Sequence, residues 1–206
     1  MEKILVIAAH VDDPIIGMGG TIAVLHNKGY EILVISSCND RSSGYEDAIE
    51  YLGGKSLKFD FSYGRINLDN LKTAVENEIK KFKPTILFTH WHNEILEDHE
   101  IVSKISVQLA RQYELRELFL FEIPATSLNF QFDVGVNISE TYSKKREAIE
   151  MLKGIDKETF NTEILPSILY SSGFRGIQFG CKFAETFKSL GSRKPLAPYY
   201  RRLVEF

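Results

Sequence analysis

Histidines and aspartates that suit metal binding are concentrated in two short stretches of this 206-residue chain. His10 is followed by the pair Asp12-Asp13. The second stretch contains His90, His92, Asp98 and His99. Imidazole nitrogen and carboxylate oxygen together suit zinc, and three protein ligands leave a fourth position for water or substrate. Any one of these histidines taken alone is compatible with an ordinary polar loop residue. Their clustering favours a divalent-metal site.

The two stretches follow segments that are typical of buried parallel strands. Residues 3–8 form a continuous apolar run with β-branched side chains. Similar runs cover residues 31–36, 57–61, 85–89 and 118–123, and helical patterns cover residues 21–28, 45–52, 71–82 and 97–113. This alternation predicts an α/β fold with a Rossmann-like open, mostly parallel sheet and helices on both faces. Ligands bind beyond the carboxyl ends of such strands, so the loops after strands 1, 2 and 4 should meet at one rim.

The pattern is less regular after residue 125. Residues 133–138 are predicted to be a strand, residues 139–152 a helix and residues 183–190 a short helix. The glycines at positions 17, 19 and 20 predict a turn before a first helix that begins at Thr21. No repeat or flexible linker interrupts the chain. We therefore expect one domain over residues 1–206, with a core of residues 1–125 and an extension of residues 126–206 packed on it.

Composition excludes several classes of function. The net charge of −3 and a pI of about 6.0 give no basic field for nucleic acid. No segment approaches the length of a membrane span, and the first residues do not resemble a signal peptide. Cys38 and Cys181 are too few for a disulfide framework. These features predict a cytoplasmic protein. Residues 144–146 (Lys-Lys-Arg) are expected to be a solvated helix face.

Two other interpretations compete with a zinc site. Response-regulator receivers also place acidic residues after strand 1, but they need a phosphoacceptor aspartate at a later strand end, where this chain has Thr89-His90. Their magnesium sites also use oxygen ligands rather than several histidines. The run Gly17-Met18-Gly19-Gly20 lacks the full G-x-G-x-x-G spacing of dinucleotide-binding turns. A Rossmann-like nucleotide-binding module with incidental histidines remains an alternative.

The residues from His10 to Gly20 (HVDDPIIGMGG) resemble the H-P-D-D-E-x-x-G-x-G-G signature of the PIG-L/LmbE-like zinc deacetylases. Those from Thr89 to His99 (THWHNEILEDH) resemble the family's second motif, T-H-x-x-x-D-x-H-x-D-H. Weaker similarities follow in the same order at Arg41, residues 121–124 (FEIP) and residues 183–187 (FAETF). The resemblance spans residues 3–190, and its two metal motifs are the specific part.

The resemblance implies a ligand set and an activity. It assigns His10, Asp13 and His99 as ligands of zinc, or of another divalent ion, and Asp12 as the general base. Zinc lowers the pKa of its water and polarises a carbonyl, which suits removal of acetate from an N-acetylglucosamine-type amino sugar or its conjugate. Arg41 and Asp98 are expected on the substrate side, although Asp98 also suits orientation of a histidine or the first turn of a helix. Proteins with this fold often associate, so a homo-oligomer is compatible with the sequence.

Four positions depart from the family's pattern. Val11 replaces a proline and Pro14 replaces a glutamate. Glu94 replaces an aspartate and is expected as a contact at the rim of the site. Leu96 replaces a histidine thought to assist the oxyanion or the leaving group. Leucine does neither, so we hypothesise that His90 or His92 takes this catalytic part. The alternative is a divergent member that binds metal and sugar with little or no hydrolysis.

Overall fold

The computed structural model describes residues 2–39, 43–191 and 202–203, so Arg41 lies outside the described residues. The strands are β1 (Lys3–Ala8), β2 (Glu31–Cys38), β3 (Lys55–Phe61), β4 (Ile86–His90), β5 (Glu117–Phe121), β6 (Val134–Asn137), β7 (Ala184–Ser189) and β8 (Arg202–Leu203). The longer helices are α1 (Asp13–Asn27), α2 (Tyr45–Leu52), α3 (Leu68–Phe82), α4 (Glu97–Gln112) and α5 (Tyr142–Met151). A further helical stretch comprises α6 (Lys157–Thr159), two π-helical turns (Phe160–Ile164 and Ser167–Ser171) and α7 (Ser172–Phe179).

These strands form one sheet in the order β3-β2-β1-β4-β5-β7-β6-β8. The first five strands pair in parallel, and Ile4 of β1 is in register with both Ile32 of β2 and Ile86 of β4. Strand β7 runs antiparallel to β5 and β6. The predicted open, mostly parallel α/β sheet is therefore confirmed, with its antiparallel pairs confined to the C-terminal part.

Side chains of the central strand alternate between two apolar cores. Val6 and Ala8 face the core under α1, α2 and α5, whereas Leu5 and Ile7 face the core under α3 and α4. Burial on both faces explains why β1 is an unbroken apolar run rather than an alternating one. Helices on both faces are confirmed. No helix in the described ranges is long and apolar enough to cross a membrane.

Two expectations for local structure are wrong. Residues 183–190 were expected to be a short helix, but residues 184–189 form strand β7 between two other strands. The predicted glycine turn lies instead inside helix α1, which begins at Asp13. In both places contacts with distant parts of the chain outweigh local propensity.

The glycines of α1 are required by close packing. A Cβ atom on Gly17 would lie 2.6 Å from the Phe121 ring, and one on Gly20 would lie 2.7 Å from Ile138. Such distances are shorter than real carbon contacts, so any larger residue would force α1 away from the sheet. The helix therefore rests directly on the last residue of β5 and on the residue that follows β6, and its first turn is held at the edge of the sheet where β1 ends.

Candidate metal centre

The three predicted metal ligands converge at the carboxyl ends of β1 and β4. His10 follows β1, Asp13 begins α1, and His99 lies in the first turn of α4. Because β1 and β4 are neighbouring parallel strands, the loops that follow them end side by side. All three side chains are buried, with exposed fractions of 6%, 3% and 1%.

Their ligand atoms form a nearly equilateral triangle. His10 Nδ1 lies 3.2 Å from His99 Nε2 and 3.4 Å from Asp13 Oδ2. His99 Nε2 lies 3.4 Å from Asp13 Oδ2. Tetrahedral zinc with bonds of about 2.0–2.1 Å separates its ligands by about 3.3–3.4 Å. The two nitrogens and one oxygen therefore fit a divalent ion of this size, and three ligands leave one position open.

A buried carboxylate orients each histidine. His10 Nε2 lies 3.2 Å from Asp98 Oδ2, and His99 Nδ1 lies 3.1 Å from Glu94 Oε2. A proton on each of these nitrogens donates to the carboxylate and leaves the other ring nitrogen free to bind metal. The Gly64 N–H donates to Asp98 at 2.7 Å, which fixes this carboxylate in turn.

Glu94 is fixed in the same way by two hydroxyl groups. Thr126 donates to Glu94 Oε2 at 2.6 Å, and the hydroxyl of Ser127 donates to the other carboxylate oxygen. From the sequence, Glu94 was expected only as a contact at the rim of the site. The motif could have indicated a role for Glu94, because Glu94 stands where the resembled motif has an aspartate. Only the folded chain shows that its carboxylate faces His99.

Electrostatics in the centre favour a positive charge beside Asp13. Burial opposes ionisation of Asp13, but the charges of His99 and His10 and a hydrogen bond from His10 outweigh it, so its pKa is held well below the ordinary value. Burial alone would lower the pKa of His99, but the charge of Asp13 and hydrogen bonds with Asp13 and Glu94 raise it to about 9. The pKa of His10 is raised for similar reasons. A cation bound at this place would replace these protons.

The structure places His90 and His92 away from the substrate side of the centre. His90 is fully buried, accepts the Ala9 N–H at Nε2 (3.0 Å) and stacks on His99 with ring centroids 4.1 Å apart. Its pKa is lowered to about 4 by burial and then by the charge of His99, so the ring is neutral. His92 is exposed, and its ring packs at a tilt of 46° against Trp91. Neither side chain lines the cavity described next.

A cavity of about 400 Å³ opens over the ligands. Its polar lining includes Asp12, Thr126 and Glu163, and its apolar lining includes Leu96. The loop after α5 adds Gly154 and Ile155 to the wall, and the helical stretch that follows adds Thr159, Ile164 and Ser167. No motif in the sequence indicates that this stretch reaches the site, and its helix is interrupted by π-helical turns, which are frequent at functional sites.

Tyr63 also lines the cavity and was not expected from the sequence. Its ring stacks on His10 with centroids 4.6 Å apart, yet 60% of the residue is exposed. It belongs to the short loop between β3 and α3, which no recognisable motif covers. An exposed aromatic ring beside a polar centre provides an apolar face for a bound molecule.

Comparison with known proteins supports the fold. No family model and no curated protein matches the sequence. Among solved structures, GalB, the 4-carboxy-2-hydroxymuconate hydratase from Pseudomonas putida KT2440, has 16% identity and a TM-score of 0.77 over 96% of this chain and 100% of its own. The N,N'-diacetylchitobiose deacetylase from Pyrococcus horikoshii, in complex with an inhibitor, has 17% identity and a TM-score of 0.76 over 95% and 88%. The zinc inhibited form of the teicoplanin deacetylase Orf2 has 13% identity and a TM-score of 0.71 over 91% and 97%.

The chain has the fold of these three enzymes. Two of them are deacetylases and one is a hydratase, so the shared sheet does not by itself determine the reaction. The reaction of this chain therefore depends on the residues of its own cavity.

Proposed function

We propose that the protein is a metal-dependent hydrolase that removes an acetyl group from an N-acetylated amino sugar or its conjugate. The observation that carries the proposal is the triangle of His10 Nδ1, Asp13 Oδ2 and His99 Nε2, open to a cavity of about 400 Å³. Small-molecule sites are usually cavities of this size that combine apolar walls with a few convergent polar groups. The deacetylases among the structural neighbours support this choice of reaction.

His10, Asp13 and His99 would hold the metal, with zinc as our first choice of ion. A divalent ion held in this way lowers the pKa of a water ligand and polarises an amide carbonyl. Asp98 and Glu94 keep the two imidazoles in the orientation and tautomer that ligation requires. Because one of the structural neighbours is a zinc inhibited form, the assay has to compare several divalent ions.

Asp12 is our candidate for the proton transfers. It lines the cavity beside the ligand Asp13, and the peptide geometry of consecutive residues aims its side chain differently. As general base, Asp12 accepts a proton from the attacking water, which makes the oxygen nucleophilic toward the acetyl carbon. The same carboxyl group then holds the proton for the departing amine nitrogen, which must be protonated before it leaves. Among the described residues, Glu163 is the other carboxylate of the cavity wall apart from the ligand Asp13.

Tyr63 and Thr126 are proposed to contact the sugar. The exposed Tyr63 ring offers an apolar face to the C–H groups of a pyranose, and the Thr126 hydroxyl lies on the wall above His99. Arg41, which lies outside the described residues, remains a proposed contact for a hydroxyl or phosphate group of the substrate.

A second candidate function is binding of metal and sugar with little or no turnover. The observation that favours it is Leu96, which lines the cavity where the resembled family has a histidine. Leucine donates no hydrogen bond to a developing oxyanion, so a stabilising interaction worth about 10²–10³ in rate is absent at this position. Neither His90 nor His92 reaches the cavity to supply it.

The test is acetate release from a panel of N-acetylated amino sugars, their disaccharides and their conjugates. The protein is stripped of metal and reloaded separately with Zn²⁺, Co²⁺, Mn²⁺ or Ni²⁺. We expect one stoichiometric ion and metal-dependent acetate release that is lost in His99→Ala. Stoichiometric metal without acetate release would support the binding function, and absence of metal binding would contradict both.

A further inference from the structure

Helix α1 is broken just beyond its first turn. Met18 has φ −151° and ψ 21°, which are not helical angles. In an unbroken α-helix the N–H of Gly20 would donate to the C=O of Ile16, four residues earlier. Here a side chain from outside the helix binds each of these groups. Gly20 N–H donates to Glu185 Oε1 at 3.0 Å, and Lys145 Nζ donates to the Ile16 C=O at 2.7 Å.

Lys145 and Glu185 are themselves an ion pair. Lys145 Nζ lies 2.6 Å from Glu185 Oε1, and the two residues are 1% and 4% exposed. Glu185 Oε2 also accepts the Thr21 N–H at 2.7 Å. The Glu185 carboxylate thus binds the N-terminus of the second helical piece, and the Lys145 ammonium binds the C-terminus of the first. The helix dipole favours a negative charge at the first position and a positive charge at the second. The sequence suggested that Lys145 belongs to a solvated helix face. This expectation is wrong for Lys145, because the residue is buried.

The pair is inserted into the hydrogen-bond ladder of the helix, which is a recognised cause of sharp helix kinks. It is brought there by distant elements, since Lys145 belongs to α5 and Glu185 to β7. Gly19 makes room for it, because a Cβ atom there would lie 3.2 Å from Lys145 Cγ. The glycines of the first motif and the weaker similarity at residues 183–187 are thus two sides of one contact.

The single turn before the break carries the acidic side of the metal centre. It begins with Asp13, and the Ile16 N–H donates to the Asp12 C=O at 2.9 Å. The Ile16 side chain also lines the cavity. Because the break separates this turn from the rest of α1, the direction of the turn depends on the groups bound at the break.

We propose that Lys145 and Glu185 are positioning residues for the metal centre. By fixing the direction of the first turn of α1, they hold the Asp13 carboxylate at the distance from His10 and His99 that a shared metal ion requires. This inference rests on the proposed metal-dependent function. It adds two residues that neither contact the proposed metal ligands nor belong to the metal motifs.

The test is the Zn²⁺ affinity of Lys145→Met/Glu185→Leu. Replacing a buried ion pair by apolar residues often leaves folding stability unchanged or improved. The double variant also allows the Ile16 C=O and the Gly20 N–H to bond each other, which would straighten α1. Affinity is measured by competition with a chromogenic chelator, at a temperature at which circular dichroism shows folded protein. We expect Kd to rise by about tenfold or more, as it does when the support of a metal ligand is removed. The absorption spectrum of bound Co²⁺ should change with it.

A Kd within about twofold of the wild-type value, with an unchanged Co²⁺ spectrum, would show that the pair only supports the fold. Glu185→Gln is the second variant if the double variant does not fold, because it keeps an oxygen acceptor for the helix and removes only the charge. The same two criteria apply to it.

Lys188→Met is the matched control. Lys188 lies on β7, as Glu185 does, and the substitution removes its ion pair with Asp133 (2.8 Å). Its Kd should equal that of the wild type, and an equal rise in the control would overturn the inference. Wild-type protein that binds no metal would contradict the proposed function as well. Wild-type binding with unaffected variants would contradict this inference alone.

Discussion

Raising the pH should destabilise the metal-free protein, because its buried histidines hold protons that the unfolded chain releases. The pKa of His99 is about 9 in the folded protein, against its ordinary value of 6.5. Below pH 6.5 both states hold this proton, and the stabilisation is complete. Between pH 6.5 and 9 only the folded state holds it, so stability falls steadily, and above pH 9 the contribution is lost.

The size of the effect follows from the difference between the two pKa values. A difference of about 2.5 pH units at 1.36 kcal/mol per unit corresponds to about 3 kcal/mol for His99. His10, whose pKa is also raised, acts in the same direction. His90 acts in the opposite direction and only below pH 6.5, because its pKa is lowered to about 4. The metal-free protein should therefore be most stable near pH 6.5.

The assay is urea unfolding of chelator-treated protein at several pH values from 6 to 9.5, followed by circular dichroism. The free energy of unfolding should fall by at least about 3 kcal/mol between pH 6.5 and 9. His99→Gln, which does not titrate, should fall by about 3 kcal/mol less over the same interval. A wild-type free energy that stays constant or rises would refute the assignment of protonated histidines beside Asp13.

Three substitutions test the parts of the centre separately. Glu94→Gln should weaken Zn²⁺ binding by about 10- to 100-fold, measured by chelator competition, because the amide no longer accepts the His99 proton as strongly; unchanged affinity would contradict this part. Asp12→Asn should lower acetate release by about 10²- to 10⁴-fold while Zn²⁺ affinity stays within a few fold, and lost affinity would mean that Asp12 is a ligand. Leu96→His should raise kcat by about tenfold or more, and an unchanged kcat at full metal occupancy would show that this position is not limiting.

The sheet was predictable because its strands have both faces buried. Strand β1 and helix α2 occur at the predicted residues, and the other parallel strands differ only at their ends. The errors lie where another part of the chain decides the conformation. Residues 184–189 have helical spacing, but they fill the gap between β5 and β6 and satisfy hydrogen bonds on both sides. Local sequence does not reveal whether such a gap exists.

The start of α1 illustrates the same limit inside the site. Glycines disfavour helices, so Gly17, Gly19 and Gly20 suggested a turn. In the fold these positions face Phe121, Lys145 and Ile138, at distances that leave no room for a Cβ atom on Gly17 or Gly20, and the helix forms in spite of its composition. The glycines are therefore needed for close packing and not for a turn. The residues that they pack against lie more than 100 positions away in the sequence.

The proposed metal ligands could be named from sequence because two motifs resemble a known family, and strand ends in a parallel sheet meet at one rim. Of their supports, Asp98 was already expected as a residue that could orient a histidine, whereas the role of Glu94 depends on the His99 ring that it faces in the fold. The neighbouring fold includes a hydratase and two deacetylases, so the reaction has to depend on groups that differ between cavities of the same architecture. In this cavity we propose that those groups are Asp12 and Leu96, which both line it. If metal affinity is intact and acetate release appears only with histidine at position 96, the chain would be a binding protein that one substitution converts to an enzyme.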